Sequence, residues 1–421
     1  MSEPGATSRE GSPQARLHAL DLIRGVAVLG ILLMNIVSFA LPPAAYMNPH
    51  AFGHRGPIDD VAWALEFVLV DGKMRGLFSF LFGASMLLVV ERAEAKGESG
   101  ARVHLARMAW LLVFGMAHLL LLWPGDILQH YALVGLIAFA FRAWPTGQLV
   151  SLAAVLIVAQ TLLLAGLPLG ILAVAADIHG AHPSSEALAT WQSYAASFGV
   201  PDRAELAKDL AANRGSYAGL FHYRLADSVW LPFDTLWSVG METLAYMLLG
   251  MAALRSGLLS GAWAQVRYRR WAACGLGIGA SCYGALAWLT WARGFDMETV
   301  ALTGMTLSTP VRPVMIVGWA CAVLAWSRTG GALTGRLVAA GRMAFTNYLL
   351  TSLVCSWLFS GWGLGWYGYL SRAQLVMVVA GVWALMLGWS KPWLARFRYG
   401  PLEWLWRSLA RGRFQPLRGA A

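Results

Sequence analysis

Charged side chains are scarce in this sequence. Only 13% of its 421 residues are charged and 58% are hydrophobic, whereas about a quarter of an average soluble domain is charged. This composition excludes an ordinary soluble domain. The apolar residues fall in runs of roughly 17–25 residues, the length that a helix needs to cross a bilayer. The sequence therefore predicts an all-α, polytopic integral membrane protein.

Cysteine is also rare, and the common catalytic motifs are missing. The four cysteines form no CxxC pair and no metal-type spacing with histidine, so we interpret them as small buried apolar residues and predict no metal site: Cys274, Cys282, Cys321 and Cys355. The chain contains no GxSxG, P-loop or HExxH motif. Hydrolase, ATP-driven pump and zinc-protease functions therefore lack their usual sequence support.

The chain carries a net charge of +10, but its basic residues cluster in short loops and in the C-terminal tail. Membrane topology and attraction to anionic lipids explain this placement. No nucleic-acid-binding motif accompanies the charge, so nucleic acid is not a predicted partner. The predicted partners are the lipid bilayer and anionic lipids at its cytoplasmic face, and a homo-oligomer is left open.

Ten apolar segments are predicted to span the membrane: residues 20–41, 76–91, 107–123, 127–142, 148–175, 229–254, 272–292, 311–327, 343–361 and 373–390. Alternate loops are rich in Lys and Arg, which predicts that both termini are cytoplasmic. The predicted organisation is a disordered tail (1–17), a membrane domain (18–390) and a basic tail with an interfacial helix (391–421). The long outward loop 176–227 is predicted to hold two helices, over Ser185–Phe198 and residues 202–212.

The first span carries Asp21 and Arg24 near its start and Asn35 deep inside. Asp21 and Arg24 are three residues apart, so they lie on one side of a helix and can neutralise each other. Polar groups are costly in hydrocarbon and are expected to face the protein interior or a wet cavity. This pattern predicts a polar-lined inner wall, with Asp21 and Arg24 as substrate-binding candidates and Asn35 as a catalytic candidate.

Histidine supplies the candidate bases. His118 lies near the outer end of the third span, and Asp126 follows a Trp-Pro-Gly break. An imidazole oriented by a carboxylate can take a proton from an acceptor in acyl transfer; the alternative is a structural hydrogen bond between two spans. His50 and His54 lie in an outward loop whose glycines and prolines argue against a helix, so they are not predicted to form a metal pair and are ordinary loop residues by composition.

Several charged residues in or near spans could bind an anionic substrate. Asp71 and Lys73 could do so together with Arg75, or Asp71 could pair with either cation. Glu242 lies well inside its span and is expensive there unless it is paired or protonated. It is either a functional carboxylate or the partner of Arg24 or Arg312.

The C-terminal third of the chain adds three candidate substrate-binding residues. Asn347, with Tyr348, is suited to hydrogen bonds between spans or to substrate contact. Glu403 and Arg407 are four residues apart and could pair on the interfacial helix. Alternatively, this tail helix closes a nucleotide-bearing donor site.

Five segments together resemble a known family: LDLIRGVAVLGILLMNI (20–36), DGKMRGLFSFLFGASM (71–86), GMAHLLLLWPGDILQHYALVG (115–135), GRMAFTNYLLTSL (341–353) and FRYGPLEWLWRSL (397–409). They resemble the YeiB-like bacterial membrane proteins, labelled domain of unknown function 418, in the family's order. The chain departs from the family at Lys73-Met74-Arg75, where a Lys-Phe pair is commoner, and at Thr351, where glutamine is common. This family is similar to membrane acyltransferases with ten or eleven spans, including the lysosomal enzyme that acetylates heparan glucosamine. Arg24, Gly25 and Asn35 match the spacing of an Arg-Gly and a later asparagine in that enzyme.

The resemblance implies acyl transfer in the bacterial inner membrane, from a cytoplasmic acyl-CoA-type donor to a sugar or envelope acceptor. Arg24 would hold donor phosphates and Asn35 would line the channel. A histidine would be the base: His118, His50 or His54. No tightly bound cofactor is expected, with acyl-CoA as a co-substrate. The alternatives are a small-solute transporter or exporter and a non-catalytic membrane scaffold. No repeat relates the two halves, which slightly disfavours transport.

Overall fold

The computed structural model describes residues 13–180, 182–327 and 331–418. These residues form helices and no strand, although an isolated bridge joins Phe397 and Arg418. The helices are α1 (Pro13–Ala40), α2 (Ala44–Met47), α3 (Pro57–Leu69), α4 (Lys73–Glu94), α5 (Gly100–Leu121), α6 (Leu128–Ala138), α7 (Thr146–Ile178), α8 (Ser185–Phe198), α9 (Arg203–Arg214), α10 (Tyr217–Ser228), α11 (Leu231–Arg255), α12 (Gln265–Ala292), α13 (Met297–Ala301), α14 (Arg312–Ser327), α15 (Ala332–Arg342), α16 (Ala344–Phe359), α17 (Arg372–Arg396) and α18 (Pro401–Arg411).

Seven helical segments of the described chain are long and apolar enough to cross a membrane, or up to nine if each of two bent helix pairs is one span. Each of the ten apolar segments predicted from sequence overlaps a helix. The fourth is the short apolar segment Leu128–Phe141. At 1.5 Å per residue it covers only about 21 Å, against roughly 30 Å of hydrocarbon. The described part of the chain is all-helical, and most of its long helices have the length and composition of membrane spans.

Three predicted boundaries differ from the structure. Helix α1 begins at Pro13, so residues 13–17 are helical, while residues 1–12 of the predicted tail lie outside the described residues. Helix α17 continues to Arg396 because the basic residues after its apolar segment remain in the helix. The outward loop holds the two predicted helices, α8 and α9, and also α10. The Ser216 side chain caps α10 by accepting a hydrogen bond from the Gly219 amide.

The interpretation of all four cysteines as buried is wrong for two of them. Cys321 and Cys355 are buried, but Cys274 and Cys282 are exposed on α12. Lipid tails are as apolar as a protein core, so an apolar stretch of sequence does not tell which side chains face the interior. None of the four forms a disulfide.

Two bends interrupt the helices of the C-terminal half. The segments Met297–Leu307 and Arg312–Ser327 meet at 60°, and Ala332–Arg342 and Ala344–Phe359 meet at 84°. At the first bend, the Ser308 and Thr309 hydroxyls donate to the carbonyls of Gly304 and Met305, each at 2.6 Å. Pro310 follows and lacks the amide needed to continue a regular helix. The first bend therefore places the Ser308 and Thr309 side chains and the ends of two helical segments inside the fold.

The second bend packs closely against α1 because a glycine of each segment occupies the point where they cross. A Cβ on Gly341 would lie 1.8 Å from the Asp21 carbonyl oxygen, and a Cβ on Gly25 would lie 2.1 Å from the Leu337 carbonyl oxygen. Only glycine allows the two backbones to approach so closely. This crossing brings Asp21 and Arg24 beside the break between α15 and α16.

Candidate functional site: an arginine-lined cavity and the His118–Asp126 pair

An open cavity of about 410 Å³ lies between α1, α4, α5, α6, the bent pair α15–α16 and α18. This arginine-lined cavity has aromatic and aliphatic walls, including Phe78, Phe82, Phe345 and Trp406. Its charged lining comprises the carboxylates of Asp21 and Glu403 and six arginines: Arg24, Arg92, Arg107, Arg342, Arg398 and Arg407.

Both carboxylates of the cavity are engaged locally. Asp21 accepts from Arg24 at 2.7 Å, and the second Arg24 nitrogen donates to Ser85 Oγ at 2.9 Å. The Asp21–Arg24 pair predicted from sequence is confirmed. Arg24 is the only cavity arginine that forms an ion pair with a described carboxylate. The cavity therefore carries a clear excess of positive charge.

The sequence-based pair between Glu403 and Arg407 does not form. Glu403 Oε1 instead accepts from the Phe345 and Thr346 amides at 2.8 and 3.0 Å, and Oε2 accepts from the Thr346 hydroxyl at 2.5 Å. Glu403 thus caps the N-terminus of α16, where backbone amides would otherwise lack partners. Burial raises the pKa of the Glu403 carboxyl.

Two cavity arginines stack on aromatic rings. The Arg407 guanidinium lies 4.5 Å from the Tyr399 ring centroid, and that of Arg107 lies 3.9 Å from the Trp406 centroid. Burial lowers the pKa of Arg407. The Trp406 indole also donates to the Arg107 carbonyl at 2.9 Å. Helix α18 is therefore fixed against α5 and forms one wall of the cavity.

Replacing Glu403 by alanine is expected to lower the free energy of unfolding by about 1–3 kcal/mol, because three donors at the start of α16 lose their acceptor. Chemical denaturation of the purified protein in detergent measures this change. Glu91→Ala is the matched control, since Glu91 is an exposed carboxylate on α4 and its loss is expected to be nearly neutral. Equal stability of Glu403→Ala and the control would contradict the capping role.

His118 and Asp126 form a buried pair beside this cavity. His118 Nδ1 lies 2.7 Å from Asp126 Oδ1, and Asp126 Oδ2 accepts from the Gln129 amide at 2.9 Å. The turn packs tightly on α5, since a Cβ on Gly115 would lie 2.3 Å from the Gln129 nitrogen. His118 Nε2 is buried and has no hydrogen-bond partner in the described structure. When the imidazole proton is on Nδ1, Nε2 presents a free lone pair.

One side chain connects this pair to the cavity. Tyr348 lines the cavity, and its ring centroid lies 5.3 Å from that of His118. Tyr348 also lines a second, small cavity together with Asn35 and Thr351. Asn35 is therefore near the inner end of the arginine-lined cavity and does not line it. Arg24 and Tyr348 thus line the arginine-lined cavity, whereas His118 does not line it and lies beside Tyr348.

A second polar cluster is separate from that lining. Glu242 is fully buried and accepts from Arg75 at 2.6 Å, from Arg312 at 2.5 Å and from the Tyr246 hydroxyl at 2.5 Å. Of the two sequence-based partners, Arg312 is confirmed and Arg24 is not. Arg312 also donates to Ser308 Oγ at 2.6 Å, so the first bend holds this ion cluster in place.

The alternative in which Asp71 pairs with Lys73 or Arg75 does not occur in the structure. Asp71 accepts from the Tyr46 hydroxyl at 3.2 Å, because Arg75 is directed to Glu242 on α11. Lys73 is buried, donates to the Phe67 carbonyl and lies 3.0 Å from the Tyr283 ring centroid. Neither Asp71 nor Lys73 lines the arginine-lined cavity.

Asn347 has a packing role in the structure. Its amide nitrogen donates to the Ala340 carbonyl and to Ser390 Oγ, both at 3.1 Å, and its oxygen accepts from the Trp389 indole at 3.0 Å. The predicted hydrogen bonds between helices are confirmed, since these contacts join α15, α16 and α17. Its side-chain nitrogen and oxygen are thus both already engaged.

His50 and His54 do not line the arginine-lined cavity. Both imidazoles instead approach Asp60, at 2.9 and 3.1 Å. Sequence reasoning did not associate Asp60 with them. It also missed the convergence of Arg92, Arg107, Arg342 and Arg398, because the positive-inside rule already explained each of these residues as a loop charge.

The helical fold and its long apolar segments define a multi-pass membrane protein. The chain belongs to the family described as "Protein of unknown function (DUF418)", whose model matches residues 253–413. It is 31% identical to the uncharacterized protein YeiB of Escherichia coli, across 93% of this chain and 95% of that protein. It is 32% identical to the uncharacterized protein YxaH of Bacillus subtilis, across 96% of each chain. No solved structure matches the chain significantly.

Proposed function

We propose that this protein is a membrane acyltransferase that takes the acyl group of an acyl-CoA-type donor held in the arginine-lined cavity. The observation that carries the proposal is six arginines facing one cavity that has only two carboxylates, both of them engaged. Guanidinium groups bind phosphates through paired, charge-assisted hydrogen bonds. A volume of about 410 Å³ falls within the roughly 300–1,000 Å³ typical of ligand pockets.

His118 would be the general base. Its Nε2 takes the proton from an acceptor hydroxyl or amine as that group attacks the thioester carbonyl. The new C–O or C–N bond replaces the C–S bond, and the proton passes to the departing thiolate. Asp126 keeps the imidazole in the tautomer whose Nε2 is free. Tyr348 lines the cavity and its ring lies beside that of His118, so its side chain would have to move for the acyl group to reach Nε2.

The topology that suits this chemistry has ten spans, both termini cytoplasmic and the cavity arginines at the cytoplasmic face of a bacterial inner membrane. The positive-inside rule supports this orientation. An envelope or sugar acceptor would then reach His118 from the opposite side. Three arginines of this lining are exposed and would attract anionic lipid headgroups: Arg92, Arg342 and Arg398.

Acetyl-CoA is expected to raise the unfolding temperature of the detergent-purified protein, because a ligand that binds only the folded state stabilises it by about 2.7 kcal/mol at 100 times Kd. Arg24→Ala and Arg342→Ala are expected to lose most of this shift. Arg269→Ala is the matched control, since Arg269 is exposed and lies outside the cavity lining. No shift with acetyl-CoA or longer acyl-CoAs would contradict the proposal.

One observation favours the second candidate, transport of a small solute. Broken helices that place polar groups inside a membrane domain are typical of secondary transporters, and this chain has two sharply bent pairs. Solute flux into proteoliposomes without covalent change would identify a transporter. If the protein shows neither solute flux nor acyl transfer, the remaining interpretation is a non-catalytic membrane scaffold.

A further inference from the structure

Three side chains of metal-ligating type converge where the loop between α2 and α3 meets the first turn of α3. His50 Nε2 and His54 Nε2 lie 2.9 and 3.1 Å from Asp60 Oδ1. One ligating atom of each residue lies within 4.8 Å of the other two. The two imidazoles are 36% and 28% exposed, so water can reach the site that they share with Asp60.

The loop around these residues is fixed from both sides. Before His50, the buried Asn48 side chain donates to the carbonyls of Phe198 and Phe295, each at 3.1 Å, and accepts from the His50 amide at 2.9 Å. Before Asp60, buried Asp59 accepts from the Arg55 and Ala373 amides, each at 2.8 Å. The hydrogen bonds of Asn48 and Asp59 therefore hold the two histidines and Asp60 close together without using their candidate ligand atoms.

The His50 ring is also positioned by contact with an aromatic side chain. It packs on Phe295 with ring centroids 4.2 Å apart. Phe295 has a φ of 59°, a left-handed conformation that a bulky side chain rarely adopts. Asn48 binds the Phe295 carbonyl in this conformation. The strained backbone thus places an aromatic surface under the imidazole.

We propose that His50, His54 and Asp60 bind one divalent transition-metal ion, with zinc as the expected ion. Zinc lies about 2.0–2.2 Å from imidazole nitrogen and carboxylate oxygen, so two ligands of a tetrahedral site lie roughly 3.3–3.6 Å apart. The two separations to Asp60 are 2.9 and 3.1 Å, so the side chains need to move apart only slightly to admit the ion. Two imidazoles and a carboxylate suit zinc and its neighbours better than calcium or magnesium, which prefer oxygen ligands.

A metal at this point would connect several segments on one face of the protein. Asp60 belongs to α3, and Asp59 beside it binds the first turn of α17. His50 rests on Phe295, between α12 and α13. The ion would therefore stabilise the packing of this face. The proposal does not depend on acyl transfer.

The test uses chelator-treated protein purified without a histidine tag. Titration with Co²⁺, a spectroscopic substitute for zinc, is expected to give one bound ion per chain with absorption bands of a low-coordinate site, and Zn²⁺ should displace it. His54→Ala and Asp60→Asn are expected to weaken binding at least about tenfold, since the first removes a ligand and the second removes the carboxylate charge. His222→Ala is the matched control, because His222 is an exposed histidine on α10.

Two results would overturn the proposal. One is folded wild-type protein that binds no Co²⁺ or Zn²⁺ at micromolar concentration. The other is binding that His54→Ala and Asp60→Asn both leave unchanged. Thermal unfolding of each variant without metal establishes that it is folded, so a loss of binding is not mistaken for a loss of structure.

Discussion

Replacing Glu242 by alanine is expected to destabilise the protein by about 3–5 kcal/mol, the cost of removing one partner from a buried ion pair. Glu242 is fully buried and accepts from Arg75, Arg312 and Tyr246. Without it, two guanidinium groups lose their carboxylate inside an apolar fold. The free energy of unfolding in detergent measures the effect.

Glu205→Ala is the matched control for this prediction. Glu205 is exposed, and its oxygen lies 4.0 Å from Lys208 Nζ, a surface pair worth about 0–1 kcal/mol. The account expects a large loss for Glu242→Ala and little change for Glu205→Ala. Similar stabilities for the two variants would show that the Glu242 cluster does not hold α4, α11 and α14 together.

Replacing His118 by asparagine is expected to lower the rate of acyl transfer by a factor of about 10²–10⁴, the usual contribution of general base catalysis. The asparagine amide can still donate to Asp126, so the turn before α6 should keep its structure. The shortened side chain has no basic nitrogen in place of Nε2. The kcat for transfer from acetyl-CoA measures the effect, with thermal unfolding to verify folding.

The His118 prediction separates catalysis from structure. A catalytic base predicts that His118→Asn keeps its stability and its acetyl-CoA shift while it loses turnover. If His118 serves only a structural hydrogen bond, His118→Asn keeps that bond, and its turnover should stay close to wild type. His179→Ala, at an exposed histidine after α7, should match the wild type in both measurements.

Local spacing was enough to predict some of the site. Asp21 and Arg24 pair because residues three apart lie on one side of a helix. The contact between His118 and Asp126 was left open, because the Trp-Pro-Gly break hides the direction of the chain. The structure resolves it through the Gly115 contact, which seats the start of α6 on α5.

Long-range convergence could not be predicted in the same way. Arg107, Arg342 and Arg398 come from separate segments and meet only because α18 docks on α5 and α16. The sequence allows Asp71 to pair with Lys73 or Arg75, but Arg75 binds Glu242 on α11 and Lys73 lies over the Tyr283 ring. Asp60 joins His50 and His54 through a loop held by Asn48 and Asp59.

The central claim is that the arginine-lined cavity binds its donor through phosphate groups. Equilibrium binding of acetyl-CoA, compared with S-acetylpantetheine, tests it most directly, since the second compound carries the thioester without phosphate. The account predicts binding of acetyl-CoA that weakens as salt rises and is lost in Arg24→Ala, with no measurable binding of S-acetylpantetheine. Equal affinity for the two compounds, or none for either, would contradict it.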